Sequence, residues 1–413
     1  MRSPVPDYLL EVVESVREDA AGAVADYIPH LREASPDTLA IAVTTVNGRT
    51  HAAGDADVEF SIQSISKPFA YAAAIMDRGL DRVLRTVGVE PSGEAFNELS
   101  LETGTHRPKN PMINAGAIAT HELLVGEGAD EDARVERALD FFSRLAGRPL
   151  TVDRAVYESE MATADRNFAI AHMLRTHGVI AAAAHDVVDG YTRQCSITVT
   201  AADLSVMAAT LACGGVQPVT GERVVDAATA RHTLAVMAGS GMYDAADSWL
   251  TTVGIPAKSG VSGGLIGALP GQVGIGAMSP RLDEHGNSVR GVKMFERLSR
   301  DMGMHLMQPS TGRSDPVRDV RREADRIVYE LQGSVDFTDA EAIVERLAGD
   351  GGAERVVFDT ARVDHFTDVG RRVVLEGLRR LRLDGRPVSL VDPAGRLPDP
   401  DLGDGTYPDT DVP

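Results

Sequence analysis

Three short apolar segments separated by Gly and Pro constrain the fold of this chain more than any other feature. They span 253–261, 264–269 and 272–277. Apolar runs joined by such short connections are typical of adjacent antiparallel strands. Much earlier, an apolar stretch at 39–46 is followed by Asn47-Gly48 and a second run at 50–53, which predicts a β-hairpin. Both ends of this region are therefore expected to supply strands to one antiparallel sheet.

Helical patterns occupy the sequence between these strands, from about Ser64 to Arg231. A first amphipathic helix is predicted before the hairpin, ending near Pro29, with its apolar stripe at Leu10, Val13, Val16 and Ala20. A last helix is predicted at 288–304, with one face formed by Val292, Phe295, Leu298 and Met302. The expected class is α+β, in which an antiparallel sheet carries a helical body.

A change of composition after residue 307 predicts a second domain. Residues 308–322 are rich in Pro, Ser, Thr, Gly and charges and are expected to form a linker. The region 323–393 then shows a βαβαβ pattern, with strands expected at 327–331, 355–359 and 387–391. Thr338 and Glu341 are expected to form the capping box of its first helix, which ends at Leu347, and the second helix carries Val374, Leu378 and Leu381. Residues 394–413 are rich in Pro, Gly and Asp and are expected to be disordered.

The charge and cysteine content restrict partners and compartment. With 41 basic and 61 acidic residues, the net charge is −20, so neither nucleic acid nor an anionic membrane is an expected partner. Solubility explains this surface, with salt tolerance as the alternative. Two cysteines, Cys195 and Cys213, and an N-terminal segment without an apolar signal core indicate a cytoplasmic protein. Both cysteines are expected to be small buried apolar groups.

Two of only four lysines lie in motifs of one type of chemistry. Residues 64–67 read Ser-Ile-Ser-Lys, a Ser-x-x-Lys motif, and 258–260 read Lys-Ser-Gly. The first is a motif of the penicillin-recognising serine hydrolases, and the second resembles the Lys-Thr-Gly strand motif of the same enzymes. Residues three apart at a helix start share a face, so the Lys67 amine can reach the Ser64 hydroxyl. Burial, the helix N-terminus and Lys258 should lower the pKa of Lys67, which makes it a general base for Ser64.

The segments around these motifs resemble the bacterial and kidney-type glutaminases, which have a β-lactamase/transpeptidase-like fold. The resemblance covers about 24–304 and rests on ordered runs at 60–67, 87–93, 110–118, 157–160, 191–196, 239–243 and 256–264. It implies a hydrolase that converts L-glutamine to L-glutamate and ammonia through a glutamyl-enzyme intermediate, without a cofactor or metal. It also suggests a homodimer or homotetramer.

The resemblance implies a catalytic set of Ser64, Lys67, Tyr191, Tyr243 and Lys258. Ser64 is then the nucleophile and Lys67 the base, while the two tyrosines border the reacting centre and help to move protons. The backbone N–H groups of Ser64 and Val261 are implied as the oxyanion hole.

The same resemblance implies a site for a free amino acid. Glu160 would pair with the substrate α-ammonium, Asn114, Asn167 and Tyr27 would bind the α-carboxylate or its neighbours, and Gln63 would contact the amide end. Taken singly, Glu160 is explained equally by a solvated helix position and Asn114 by a helix cap. The implied substrate-binding set is Tyr27, Gln63, Ser64, Asn114, Glu160, Asn167, Tyr191, Tyr243 and Val261.

Three observations bear on rival functions. The histidines are scattered and show no metal-ligand spacing, and no phosphate-binding Gly-rich loop follows a strand. A β-lactamase or penicillin-binding hydrolase remains an alternative, opposed by the 110–118 run. The other alternative is a signalling scaffold with a degenerate enzyme domain.

The C-terminal βαβαβ region resembles STAS domains, through Val356-Val357-Phe358-Asp359 and Phe366-Thr367-Asp368-Val369-Gly370. The resemblance implies a regulatory domain with a protein or small-ligand partner. STAS domains carry a switch serine at the start of the second helix, where this chain has Asp368. The aspartate is explained either as a fixed charge that mimics a phosphorylated state or as a simple helix N-cap.

Overall fold

The structure is a computed structural model that describes residues 5–93, 98–308, 315–323, 325–350 and 354–411, without the side chains of residues 337, 338, 341 and 369. The chain divides into two units, Met1–Gln308 and Pro309–Pro413, each with its own hydrophobic core. No helix of the described residues is long and apolar enough to cross a membrane.

The helices of the first unit are α1 (Val5–Glu14), α2 (Pro29–Arg32), α3 (Ser66–Arg78), α4 (Leu80–Thr86), α5 (Asn114–Glu122), α6 (Glu131–Ala146), α7 (Arg154–Met161), α8 (Asp165–Thr176), α9 (Ala184–Cys195), α10 (Ala201–Ala212), α11 (Ala227–Ser240), α12 (Ala246–Thr252) and α13 (Val289–Met302). Its strands are β1 (Ala40–Thr45), β2 (Thr50–Gly54), β3 (Phe60–Ser61), β4 (Thr198–Val199), β5 (Ala257–Ser259), β6 (Gly264–Leu269) and β7 (Val273–Met278). The main sheet has the order β2-β1-β7-β6-β5 and is antiparallel throughout. Strands from both ends of the unit therefore share one sheet, as the sequence predicts.

The hairpin of β1 and β2 forms where Asn47-Gly48 predicts it. Ala42 pairs with Ala52, and the Gly48 N–H donates to the Thr45 carbonyl at 2.9 Å. Gly48 has φ 78°, whereas Asn47 does not adopt a positive φ. Only one of the two turn positions thus needs the left-handed conformation, and the loop is longer than the two-residue turn that the dipeptide suggests.

Both faces of the main sheet are covered. Alternate residues of β1 point to opposite sides, so that Ala42 packs into the helical body while Ile41 packs with α1 and α13. This arrangement explains why the strands read as continuous apolar runs rather than as alternating ones. The predicted α+β class, an antiparallel sheet with a helical body, is confirmed.

Helix α10 contacts the sheet with almost no side chain between them. A Cβ added to Gly274 of β7 would lie 2.0 Å from the Ala209 nitrogen, and one added to Gly276 would lie 2.3 Å from the Ala201 carbonyl oxygen. The helix begins at a capping box in which Thr200 and Asp203 exchange hydrogen bonds. Glycine on the strand is therefore required for this contact.

The first and last helices of this unit differ from the prediction in where they end and in which residues face the core. Helix α1 ends at Glu14 rather than near Pro29, and Leu10 is 48% exposed because Leu9 and Val12 face the core instead. Helix α13 begins after the Ser288 N-cap, as expected, but Met302 is exposed at its last turn.

The second unit consists of β8 (Val317–Arg322), β9 (Arg326–Val335), α14 (Phe337–Gly349), β10 (Arg355–Phe366), α15 (Asp368–Leu383), β11 (Val388–Val391) and β12 (Asp409–Thr410). Its sheet order is β12-β11-β10-β9-β8, and β9, β10 and β11 run parallel as the βαβαβ pattern requires. Strand β8 pairs antiparallel with β9 at the edge.

Three predictions for this unit are wrong. The expected linker 308–322 contains strand β8, whose Val317 is buried. The expected disordered tail contributes β12, and its Leu397 and Leu402 are buried in the core. The cap of α14 is formed by Asp336 and Asp339, two residues before the predicted pair; the side chains of Thr338 and Glu341 lie outside the described residues.

Candidate active site

Ser64 lies in a tight turn between the sheet region and the helical body. Strand β3 leads into a 3₁₀ turn over Gln63–Ile65, and α3 follows directly from Ser66. The first ten residues of α3 are all buried, so this helix forms the centre of the helical body. The nucleophile candidate is thereby fixed at the start of a helix that cannot move without disturbing the core.

Lys67 is buried directly beside this turn, with 1% of its surface exposed. Its Nζ donates to Oδ1 of Asn114 at 2.7 Å. Burial lowers the pKa of Lys67 to about 7, while Cys195 and Glu160 act in the opposite direction. The lowered pKa of Lys67 agrees with the prediction. Its leading cause is burial, not the positive charge of Lys258 or of the helix N-terminus. Near neutral pH a large share of this amine is unprotonated.

Tyr243 contacts Ser64, and Lys258 lies against the ring of Tyr243. The Tyr243 hydroxyl hydrogen-bonds with the Ser64 side chain and donates to the Ser259 carbonyl at 3.3 Å. Lys258 lies in β5, is completely buried, and donates to the Ser259 carbonyl at 2.7 Å. Burial, followed by the charge of Lys67, holds the pKa of Lys258 well below its usual value.

A cavity of about 200 Å³ opens above Ser64. Eight of the nine predicted substrate-binding residues line it: Tyr27, Gln63, Ser64, Asn114, Glu160, Asn167, Tyr191 and Val261. The ninth, Tyr243, hydrogen-bonds with Ser64. Tyr27 is 52% exposed and forms part of the rim, whereas Tyr191 is buried. Residues from widely separated parts of the sequence thus meet around one serine.

The carboxylate of Glu160 is buried in the wall of this cavity. Its Oε2 accepts a hydrogen bond from Nε2 of Gln63 at 3.1 Å, and burial raises the pKa of Glu160 to about 7. An ordinary solvated helix position is therefore ruled out for Glu160. A buried carboxylate facing a cavity is suited to a cationic group of a ligand.

Two carboxamides lie side by side in the lining of the same cavity. Nδ2 of Asn114 donates to Oδ1 of Asn167 at 3.0 Å. Asn114 is the first residue of α5, whose N-cap is Ile113, so the helix-cap explanation for Asn114 is wrong. With Oδ1 of Asn114 bound to Lys67, this pair connects the cavity wall to the buried amine.

Two residues of the site hold a left-handed backbone that is unusual for non-glycine residues. Gln63 has φ 50° and Tyr243 has φ 57°. Such conformations are costly and persist only where the surroundings enforce them, often at functional sites. Both flank Ser64, one in sequence and the other through a hydrogen bond.

The structure adds residues to the cavity that the sequence analysis did not assign to it. They are Ile28, Thr163, Ala164, Arg166 and Cys195. Cys195 follows Tyr191 by one turn of α9, and this spacing was a signal that both share a face. Its thiol hydrogen-bonds with Tyr191, and burial raises its pKa to about 12, so Cys195 is more than a small apolar group. Cys213 is only partly buried, contrary to the prediction.

A buried polar network supports the nucleophile turn from behind. Nε2 of Gln194 donates to Oγ of Ser66 at 3.0 Å, and Nδ1 of His121 lies 2.9 Å from Oε1 of Gln194. All three side chains are completely buried. Since buried polar groups require partners, this chain fixes the orientation of α9 relative to α3.

No cluster of metal-ligating side chains occurs among the residues that the structure describes. The groups around the Ser64 hydroxyl include two amines, three phenols, a carboxylate and three carboxamides. They are suited to nucleophilic attack and proton transfer on a small zwitterion.

Known proteins are similar to this chain in sequence and in fold. The Glutaminase family model matches residues 22–307. A Glutaminase of Corynebacterium efficiens is 54% identical over 98% of this chain and 96% of its own length. The crystal structure of a protein called Mglu is 55% identical with a TM-score of 0.89, covering 95% of this chain and 99% of Mglu. A structure of Mglu in its tris and glutamate form is 50% identical, also with a TM-score of 0.89, covering 96% of this chain and all of Mglu.

The catalytic unit is that of an amidohydrolase. More particularly, the chain belongs to the glutaminase family, and it hydrolyses L-glutamine to L-glutamate and ammonia. The β-lactamase alternative is thereby set aside. The scaffold alternative requires a degenerate site, whereas the implied catalytic side chains are all present. Ser64 and Tyr191 line the cavity, Lys67 contacts Asn114 of its lining, and Tyr243 contacts both Ser64 and Lys258.

Proposed function

We propose that Ser64 performs the hydrolysis as a covalent nucleophile with Lys67 as its general base. Lys67 takes the Ser64 proton while Oγ attacks the side-chain amide carbon of glutamine. The C–N bond then breaks, the nitrogen leaves as ammonia after receiving that proton, and a glutamyl ester remains on Ser64. The observation that carries this proposal is a buried lysine with a pKa lowered to about 7 three residues from a serine under a cavity.

Water completes the reaction by attacking the ester carbon. The base that accepted the serine proton now accepts a proton from water, and the ester bond breaks to release glutamate and restore Ser64. Tyr243 hydrogen-bonds with Ser64 and passes protons between the serine, the leaving nitrogen and Lys67. Lys258 keeps the Tyr243 ring in place at its buried face.

The backbone N–H groups of Ser64 and Val261 form the oxyanion hole of this proposal. Val261 lines the cavity, and no acceptor for its N–H is found among the described residues. Donors that are already oriented toward the developing negative charge stabilise it without reorganisation.

The remaining cavity residues select the amino-acid end of the substrate. Glu160 pairs with the α-ammonium, Asn114, Asn167 and Tyr27 bind the α-carboxylate or its surroundings, and Gln63 contacts the amide end. The buried carboxylate and the paired carboxamides support these assignments. One crystal structure of the similar protein Mglu is of its tris and glutamate form, and glutamate is the product of the reaction proposed here.

Ammonia release from L-glutamine and from L-asparagine, by wild type and Ser64→Ala in parallel, tests the proposal. Ser64→Ala is expected to fold normally and to lose turnover of glutamine. Glutamine hydrolysis that persists in this variant at the wild-type rate would remove Ser64 as the nucleophile. Trapping a glutamyl adduct on Ser64 by mass spectrometry after acid quench supports the intermediate directly.

We further propose that the second unit is a STAS-like regulatory domain that binds a protein or small ligand. Its parallel strands and two helices agree with that assignment. Asp368 is the first residue of α15, and the N-cap is Thr367, whose side chain accepts from the Gly370 N–H. The N-cap explanation for Asp368 is therefore wrong. A fixed carboxylate in the first turn is electrostatically favourable and mimics a phosphorylated serine; a kinase-dependent phosphate on this domain would contradict the idea.

The resemblance also leads us to propose a cytoplasmic homodimer or homotetramer. The two cysteines are unpaired, as expected in a reducing compartment. Light scattering coupled to size-exclusion chromatography distinguishes these assemblies from a monomer.

A further inference from the structure

Three arginines meet at a second cavity of the first unit, away from the catalytic one. This cavity measures about 320 Å³ and shares no lining residue with the cavity above Ser64. Arg78 reaches it from the end of α3, Arg82 from α4, and Arg134 from the first turn of α6. The loop 126–128 and Ala181 close its remaining sides.

Arg134 is the least usual member of this group. Only 4% of its surface is exposed, and its buried Nε has no hydrogen-bond partner. Among the described residues, no carboxylate lies within ion-pair distance of its guanidinium. An arginine stays protonated under all relevant conditions, and a buried charge without a counter-charge is strongly unfavourable. The structure therefore leaves a positive charge with an unpartnered, buried Nε in the lining of a partly open cavity.

The other two arginines have little to neutralise them. Arg78, with 17% of its side chain exposed, pairs with Glu127, whose side chain is 81% exposed. Such a pair with a solvated partner contributes little. Arg82 donates to Oγ1 of Thr86 at 2.6 Å and has no carboxylate partner in the described part of the chain.

The nearby carboxylates do not fill the role of counter-charge for Arg134. Glu122 lines the cavity, but its Oε1 accepts from the backbone N–H groups of Ala181 at 2.7 Å and Ala182 at 2.6 Å. Glu127 is turned toward solvent. With three arginines and two glutamates, the lining keeps a formal charge of 3 − 2 = +1 in a protein whose net charge is −20.

We propose that this cavity is a binding site for a tetrahedral oxyanion, a phosphate or sulfate group, held by Arg78, Arg82 and Arg134. Guanidinium groups present pairs of N–H donors that match the oxygen spacing of such anions. The bound anion supplies the counter-charge that Arg134 lacks and thereby stabilises the folded catalytic unit. This inference concerns a site separate from Ser64 and does not depend on the catalytic mechanism.

Thermal unfolding of the full chain in sodium phosphate, compared with sodium chloride at equal ionic strength, tests the site. The Tm of the wild type is expected to rise saturably with phosphate, by on the order of 2 °C or more near saturation. Arg134→Met is expected to raise the Tm in chloride, because it removes an unpaired buried charge, and to abolish the response to phosphate.

A matched pair on α4 provides the control. Arg82→Gln, at the cavity, is expected to weaken phosphate binding in isothermal titration calorimetry at least about tenfold. Arg85→Gln, an exposed arginine of the same helix, is expected to bind as the wild type does. Because both positions lie on the surface side of α4, both variants should fold even if Arg134→Met does not.

Two outcomes would overturn the proposal. One is a wild type that phosphate and sulfate stabilise no more than chloride does. The other is a phosphate response that Arg134→Met and Arg82→Gln leave intact, which would place binding elsewhere, such as the cavity above Ser64. Glycerol phosphate in place of inorganic phosphate separates the sources: preference for the ester assigns the site to a phosphorylated metabolite, and preference for inorganic phosphate to the free ion.

Discussion

Nζ of Lys258 lies 3.8 Å from the centroid of the Tyr243 ring, while the hydroxyl of the same tyrosine hydrogen-bonds with Ser64. One phenol thus has two separable functions. Its ring covers a completely buried amine, and its hydroxyl contacts the nucleophile. Nζ of Lys67 is more distant from the ring, at 6.0 Å, so the two lysines have different relationships to Tyr243.

Tyr243→Phe should separate these functions. It keeps the ring over Lys258 and removes the hydroxyl, so we expect a Tm close to that of the wild type and a kcat reduced by ~10²–10⁴ through loss of proton transfer. The matched control is Tyr71→Phe on α3, whose hydroxyl contacts His232 instead. If Tyr243→Phe retained wild-type kcat, the hydroxyl would have no part in the reaction.

Glu160→Gln should weaken substrate binding more than it slows chemistry. The amide still accepts from Gln63 but no longer carries the charge that pairs with the α-ammonium, so we expect KM for glutamine to rise by about 10²-fold. Glu158→Gln is the control, because Glu158 lies on the same helix, is exposed and pairs with Arg154. Steady-state kinetics of both variants measure the difference; equal KM values would contradict the assignment.

The free energy of unfolding should rise with pH because of Lys67. Its pKa falls from 10.5 to about 7 on folding, so between these values the unfolded chain binds more protons than the folded one. Each such group adds a slope of up to about 1.4 kcal/mol per pH unit. Urea unfolding of Lys67→Met should show a correspondingly smaller slope, and Lys293→Met, at an exposed lysine, should not. Equal slopes for wild type and Lys67→Met would show that Lys67 titrates normally.

Activity should decline as the pH falls below about 7. Lys67 must be neutral to accept a proton, and Glu160 must be ionised to bind the α-ammonium; both have a pKa of about 7. The logarithm of kcat/KM should therefore fall with a slope approaching two at acid pH in the wild type. In Glu160→Gln the residual activity should fall with a slope of one. A wild-type slope of one, or no decline at all, would mean that at least one of these groups is not needed in the stated form.

The sequence alone predicts those parts of the candidate site that have a local motif. The Ser64, Lys67 and Lys258 motifs and the Asn-Gly turn have local signatures. Lys67 lies in α3, Lys258 in β5 and the turn between β1 and β2, whereas Ser64 precedes α3 in a 3₁₀ turn. Only the resemblance to glutaminases predicts that Glu160 and Asn167 lie near Ser64, because neither residue has a local sequence pattern that identifies it. Arg134 shows the limit most clearly: on a helical wheel it is an ordinary charged residue, and only tertiary packing makes it a buried one.

Errors in the second unit have a common physical origin. Strand β8 reads Val-Arg-Asp-Val-Arg-Arg, and its polar composition suggested a linker because an edge strand needs only one buried face. The Pro, Gly and Asp content of the tail predicts disorder, although two of its leucines, Leu397 and Leu402, pack into the core. The composition of such a segment reflects mainly its exposed residues. It gives little sign of the few buried side chains that attach the segment to the core.

The glycines of β7 have a consequence for the catalytic geometry. Ser64 and Lys67 belong to the helical body and Lys258 to the sheet, and these two halves meet where α10 rests on bare backbone. The distance between the two halves of the active centre is thus set by direct contact between the backbone of α10 and the backbone of β7. Substitutions elsewhere can leave this distance unchanged, whereas a single added methyl group at Gly274 would push the two halves apart.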